Sequence, residues 1–138
     1  GERERERGRE REKRQPVEVV FLRNFSSEAV SYLADGTVDF IYIDARHDYC
    51  AVSEDLSLFW PKLRPGGIFA GHDYLTQSDI ESLESHKHQR WDICHDGRIE
   101  KRAVKGAVDD FMRDRGLDIA ITVEGSRFPS WITRKPFV

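Results

Sequence analysis

Two runs of this sequence, "VEVVFL" over Val17–Leu22 and "VDFIYI" over Val38–Ile43, are apolar almost without interruption. A strand wetted on one face alternates apolar and polar side chains. A continuous apolar run fits a strand covered on both faces, the usual condition of a parallel sheet. Parallel neighbours need a crossover between them, commonly a helix. The intervening "FSSEAVSYLADG" supplies one: Ser26 or Ser27 can cap it and Gly36 can end it. After the second run, "DYCAVSEDLSLFWPKL" carries Val52, Leu56 and Phe59 at helical spacing, one stripe facing a sheet. "RPGG" breaks that helix and turns the chain into a third short strand, "GIFAGHDY". "VKGAVDDFMRDRG" is a second amphipathic helix that buries Val104, Val108 and Phe111, with Gly116 just past its end. "DIAITVE" and "SWITRK" close the chain as two strands joined through "GSRFP". The predicted fold class is α/β: a Rossmann-like, mostly parallel sheet with helices on both faces and a C-terminal antiparallel hairpin.

The first fourteen residues, "GERERERGREREKR", hold no apolar side chain. Their alternating charges predict a solvated, disordered tail over 1–15, with the folded domain over 16–138. A polar, lid-like insert occupies about 75–102. The net charge of -3 argues against a dedicated nucleic-acid binder, and no apolar run is long enough to span a membrane. The two cysteines, Cys50 and Cys94, are far apart and suggest no disulfide framework, so a reducing, cytoplasmic setting is expected.

The chemistry gathers where strands end. In open α/β sheets, ligands sit beyond the carboxyl ends of the strands. Asp44 ends one strand; His72 and Asp73 end the next. Neighbouring strands lie about 4.8 Å apart, so the two acids would face one small volume. Carboxylates that close repel unless a proton or cation sits between them, which is the outline of a divalent-metal site. His47 lies on the loop over the same place and can accept a proton. The plainer alternative makes Asp44 a helix cap, His47 a surface loop residue and Asp73 a turn former. His86, His88, Cys94 and His95 fit no common zinc spacing, and their segment reads as a solvated lid. Trp60 and Trp131 read as packing residues, whereas Trp91 could stack on a flat substrate.

Together, the acidic end of "VDFIYIDARHDY", the "LRPGG" turn and the "GHDY" strand end resemble the class I S-adenosylmethionine-dependent methyltransferases. The likeness is to the small-molecule O-methyltransferase-like group called methyltransferase family 24, over about Val17–Lys135. The resemblance implies a sheet order of 3-2-1-4-5-7-6, in which "VDFIYI" is the fourth strand and the terminal hairpin holds the reversed seventh. It implies that Ser26, Ser27 and Asp44 border S-adenosylmethionine, and that Asp44, His72 and Asp73 are candidate metal ligands for Mg2+ or a transition metal. It places His47 as the general base. No glycine-rich turn follows a strand here, so about two strand–helix units of the family fold are missing and the chain reads as a fragment. The implied activity is methyl transfer to a small-molecule acceptor, through oxygen. The alternative is a non-catalytic remnant serving as a binding or scaffold module. An exposed sheet edge would then be covered by a second copy or by the missing N-terminal half.

Overall fold

The second apolar run forms the strand expected of it, and that strand organises the sheet. The computed structural model of the chain describes residues 15–123 and 127–138. The charged tail therefore lies almost wholly outside the described residues, as does part of the hairpin turn. Strand β1 (Val38–Ile43) pairs in parallel with β2 (Leu63–Gly71). The crossover between them is helix α2 (Tyr49–Phe59), continued by a single 3-10 turn over Trp60–Lys62. Strand β2 then pairs antiparallel with β4 (Trp131–Arg134), which pairs antiparallel with β3 (Ala120–Ile121). The sheet order is β1-β2-β4-β3.

Packing follows from the amphipathic helices. Helix α4 (Ala103–Asp114) lies against α2 and turns Val104, Ala107, Val108 and Phe111 inward. Gly116 follows it with φ +63°, the left-handed geometry that a helix-terminating glycine adopts without strain. Phe69 and Trp131 meet edge-on with ring centroids 5.4 Å apart, and Trp60 and Phe111 close on the same side of the sheet. The Lys135 ammonium donates to the Trp60 and Leu63 carbonyls, each at 2.9 Å. Burial holds its pKa below the ordinary lysine value, only partly offset by Asp35.

Four sequence expectations need correction. "VEVVFL" is not a strand: Val17, Val19, Val20, Phe21 and Leu22 are exposed and form no ladder. A strand needs a neighbour for its backbone donors and acceptors, and none lies beside this run among the described residues. β1 is the sheet's edge, as expected, but it is not covered on both faces: Ile41 is buried while Phe40 and Tyr42 stay exposed. The first helix shrinks to one turn, α1 (Ser26–Ala29), and a 3-10 turn; Phe25 takes the cap position, so neither serine caps it. "RPGG" does not separate helix from strand. It lies inside β2 as a bulge, where the register steps from Val38↔Leu63 to Phe40↔Ile68. Gly66 makes the bulge possible at φ +77°, and a Cβ there would strike the Phe137 ring at 2.3 Å.

Gly71 closes β2 directly under Trp131, whose indole would lie 2.6 Å from an added Cβ. Gly71→Ala should therefore cost about 1–3 kcal/mol through overpacking. Denaturant unfolding checks this, and an unchanged midpoint would mean that the indole can step aside.

Candidate functional site

The pairing of β1 with β2 sets the site. Ile43 is in register with Gly71, and the His72 amide donates to the Ile43 carbonyl at 3.0 Å. The next residues, Asp44 on one strand and His72 and Asp73 on the other, leave the sheet side by side. Asp73 takes φ +61°, a left-handed geometry that aspartate tolerates better than most residues. His47 comes from the short loop before α2. Asp48, not Asp44, caps that helix, its carboxylate accepting from the Ala51 amide at 3.1 Å.

His47 Nε2 and Asp73 Oδ2 are 2.9 Å apart, and His72 Nδ1 and Asp73 Oδ1 are 3.0 Å apart. Burial pushes the Asp73 carboxyl up, but the His47 hydrogen bond and the two imidazoles outweigh it and hold the pKa below the ordinary value. Ligand atoms of Asp44, His47 and Asp73 all lie within 4.8 Å of one another. The resemblance offered His72 as the third ligand; the geometry gathers His47 instead and leaves His72 on the other side of Asp73. The small space bounded by these residues, Val104 and Trp131 measures about 10 Å3, room for one ion or water. Two carboxylates and an imidazole suit a transition metal or zinc better than magnesium.

Ser26 and Ser27 do not reach that space. They line a separate groove of about 420 Å3 with Asn24, Phe25, Glu54 and Asp55. Ala45 and Arg46 border both, so the groove leads to the acid cluster. Burial raises the Asp55 pKa, with the Ser26 hydroxyl partly offsetting it. Nothing in the sequence marks Asp55 apart from any other acid on a helix.

The insert is not a solvated lid. Ile80, Trp91 and Cys94 are buried, and Trp91 lies flat on His47 with ring centroids 4.2 Å apart and an interplanar angle of 9°. The ring thus covers the imidazole, where the sequence offered it to a substrate. Gln77, at the start of α3 (Gln77–Glu81), anchors the insert: its amide oxygen accepts from the Trp91 amide at 2.6 Å and its amide nitrogen donates to the Gln89 carbonyl at 3.0 Å. Cys50 and Cys94 form a disulfide, against the expectation of separate thiols. They are far apart in sequence but meet because the insert folds back over the start of α2. Among the described residues, His86, His88 and His95 join no metal-binding group.

The order β1-β2-β4-β3, with acids on the parallel tips, is the order that the resemblance to class I methyltransferases implies for strands four, five, seven and six. The chain belongs to that family: the profile described as a methyltransferase domain matches residues 2–74 of the 138. A solved protein from Corynebacterium glutamicum shares the fold at a TM-score of 0.58 and 17% identity, covering 88% of this chain and 50% of that one. An O-methyltransferase family protein from Burkholderia thailandensis matches at a TM-score of 0.53 and 14% identity, over 78% of this chain and 33% of its own. The chain thus spans half the length of the first relative and a third of the second. No curated protein sequence matches it.

Because Asp73 titrates below its unfolded value, its share of stability is present above the ordinary carboxylate range and lost as pH falls through the folded value. Asp73→Asn keeps the left-handed backbone and should flatten the acid limb of stability against pH. Unfolding midpoints between about pH 5 and pH 2 test it; an equally steep limb would assign the acid sensitivity to other groups.

Proposed function

We propose that this domain transfers a methyl group from S-adenosylmethionine to a hydroxyl of a small molecule at the tips of β1 and β2. The observation that carries the reading is the convergence of Asp44, His47 and Asp73 on one ion-sized space beside a larger groove. Family membership implies the methyl donor. The groove at Ser26 and Ser27 suits its adenosine end, and Asp44 directly precedes Ala45 and Arg46, the residues that border both groove and cluster. An O-methyltransferase among the structural relatives supports oxygen as the acceptor atom.

Asp73 accepts from His47 Nε2, which leaves the Nδ1 lone pair as the basic one. The carboxylate fixes the ring and favours the imidazolium formed when an acceptor hydroxyl gives up its proton. The sulfonium of the donor is already reactive, so most of the acceleration would come from aligning acceptor oxygen and methyl carbon. Asp44, exposed at the rim, can accept a hydrogen bond from the acceptor. The donor set also fits a divalent ion, which Asp44, His47 and Asp73 would hold and which would act as a Lewis acid toward the acceptor hydroxyl. The expected cytoplasmic setting suits the Cys50–Cys94 bond only if that bond is reversible.

Calorimetry with S-adenosylmethionine up to about 1 mM, the top of the usual KM range, tests the reading on this chain. Saturable binding that Asp44→Asn weakens is expected. Absence of binding would leave a binding or scaffold module of the same fold. Where turnover is measurable, His47→Ala should lower it by about 10²–10⁴-fold, and unchanged turnover would remove the base. Manganese titration followed by electron paramagnetic resonance decides the metal. Loss of Asp73 should weaken binding by at least the roughly 10–100-fold that a lost supporting partner costs.

A further inference from the structure

The insert meets the site through one ring, and both rings of that contact are tied to one covalent bond. Trp91 stacks on His47, and Cys94 is joined to Cys50. His47 precedes Cys50 by three residues, and Trp91 precedes Cys94 by three. The disulfide therefore closes a small ring of chain whose far side is the stack. Among the described residues the other polar contacts of Trp91 are its amide to Gln77 Oε1 at 2.6 Å and its indole nitrogen to Gln89 Oε1 at 3.0 Å, and both partners belong to the insert itself. The insert's polar ties to the body at its base include the Lys105 amide to the Leu75 carbonyl at 3.2 Å and the Arg102 guanidinium to the Asp110 carboxylate at 2.9 and 3.0 Å. Arg98 reaches back from the insert to lie 3.1 Å from Cys50 Sγ.

We propose that the Cys50–Cys94 disulfide is a tether that seats Trp91 on His47, and that its reduction releases the insert and uncovers the imidazole. Trp91 is then a positioning residue: it holds the plane of the His47 ring against Asp73 without touching substrate. The consequence for methyl transfer rests on the function proposed above; the tether does not. The reductant is a dithiol. Cys50 is the less buried cysteine, and the Arg98 guanidinium beside it draws an incoming thiolate. That thiolate bonds to Cys50 Sγ, the Cys50–Cys94 bond breaks, and Cys94 leaves as a thiolate and takes a proton. The second thiol of the reductant then attacks the mixed disulfide, freeing the Cys50 thiol. Two electrons and two protons have passed to the protein, and the dithiol has become a disulfide.

Proton NMR of the 138-residue chain tests the tether, with the His47 ring signals assigned by their loss in His47→Gln. In the oxidised chain these signals should lie upfield of those of His88 and His95, because His47 sits over the indole face. Dithiothreitol, or the paired Cys50→Ser and Cys94→Ser substitutions, should move them toward the His88 and His95 positions. Trp91→Leu should do the same without reductant, and Trp91→Phe should keep part of the shift. If the serine pair does not fold, hydrogen exchange on the wild-type chain decides: reduction should speed exchange in residues 77–101 and leave β2 protected. His47 signals that ignore a complete reduction would overturn the tether, and so would exchange that rises equally in β2. None of these measurements needs methyl transfer. A chain that fails to bind S-adenosylmethionine but shows the redox response loses the proposed function and keeps the tether; the opposite pattern does the reverse.

Discussion

Everything at the site depends on one register: Ile43 opposite Gly71 in a parallel pair. Parallel strands end at the same side of a sheet, so the residues that follow them emerge together. A shift by a single residue would send one of the two acids to the opposite face. The register is set locally, from both ends of β1. At its start, the amides of Gly36 and Thr37 donate to the carbonyls of Pro61 and Lys62. At its end, the His72 amide donates to Ile43. The "RPGG" bulge between them absorbs the extra residues of β2, so the pairing can restart in step. Gly71 then admits Trp131 against the sheet, which binds the antiparallel strand to the same edge as the site.

The electrostatics follow from where that register leaves each acid. Asp73 is buried and would be costly as an isolated carboxylate. An imidazole on each oxygen compensates it, at 2.9 and 3.0 Å. Asp44 remains in water and needs no such compensation. The two acids thus differ in kind. One is fixed and committed to the histidines; the other is exposed and can meet what arrives. That division suits a site in which one carboxylate orients a base and the other contacts an acceptor or an ion.

The sequence was most legible where local rules and packing agree. The helical stripe of Val52 and Leu56, the α4 stripe and the glycine after it were all read correctly, because amphipathic spacing states which face is buried. The order of the strands was legible through the family resemblance, and their acidic tips from where the apolar runs end. It misled where a residue's fate depends on a distant partner. "VEVVFL" has the composition of a buried strand, but composition cannot supply a neighbour to pair with. The insert looked solvated because its average is polar; yet Ile80, Trp91 and Cys94 are buried and carry it into the core. Cys50 and Cys94, 44 residues apart, could be joined only once the insert was seen folded across α2. Gln77 carries no signal at all as an anchor.

That last failure bears on how the site is built. A polar segment of this length has too few apolar residues to fold by burial alone, so it must borrow order from the domain. It does so at three kinds of point: a buried amide at Gln77, a flat ring at Trp91 and a covalent bond at Cys94. Two of the three lie within three residues of one another, and the ring among them rests on the imidazole that faces Asp73. The insert's stability and the orientation of His47 are therefore coupled through the same few atoms. A change that loosens one must loosen the other, which is why a bond outside the site can govern what the site presents.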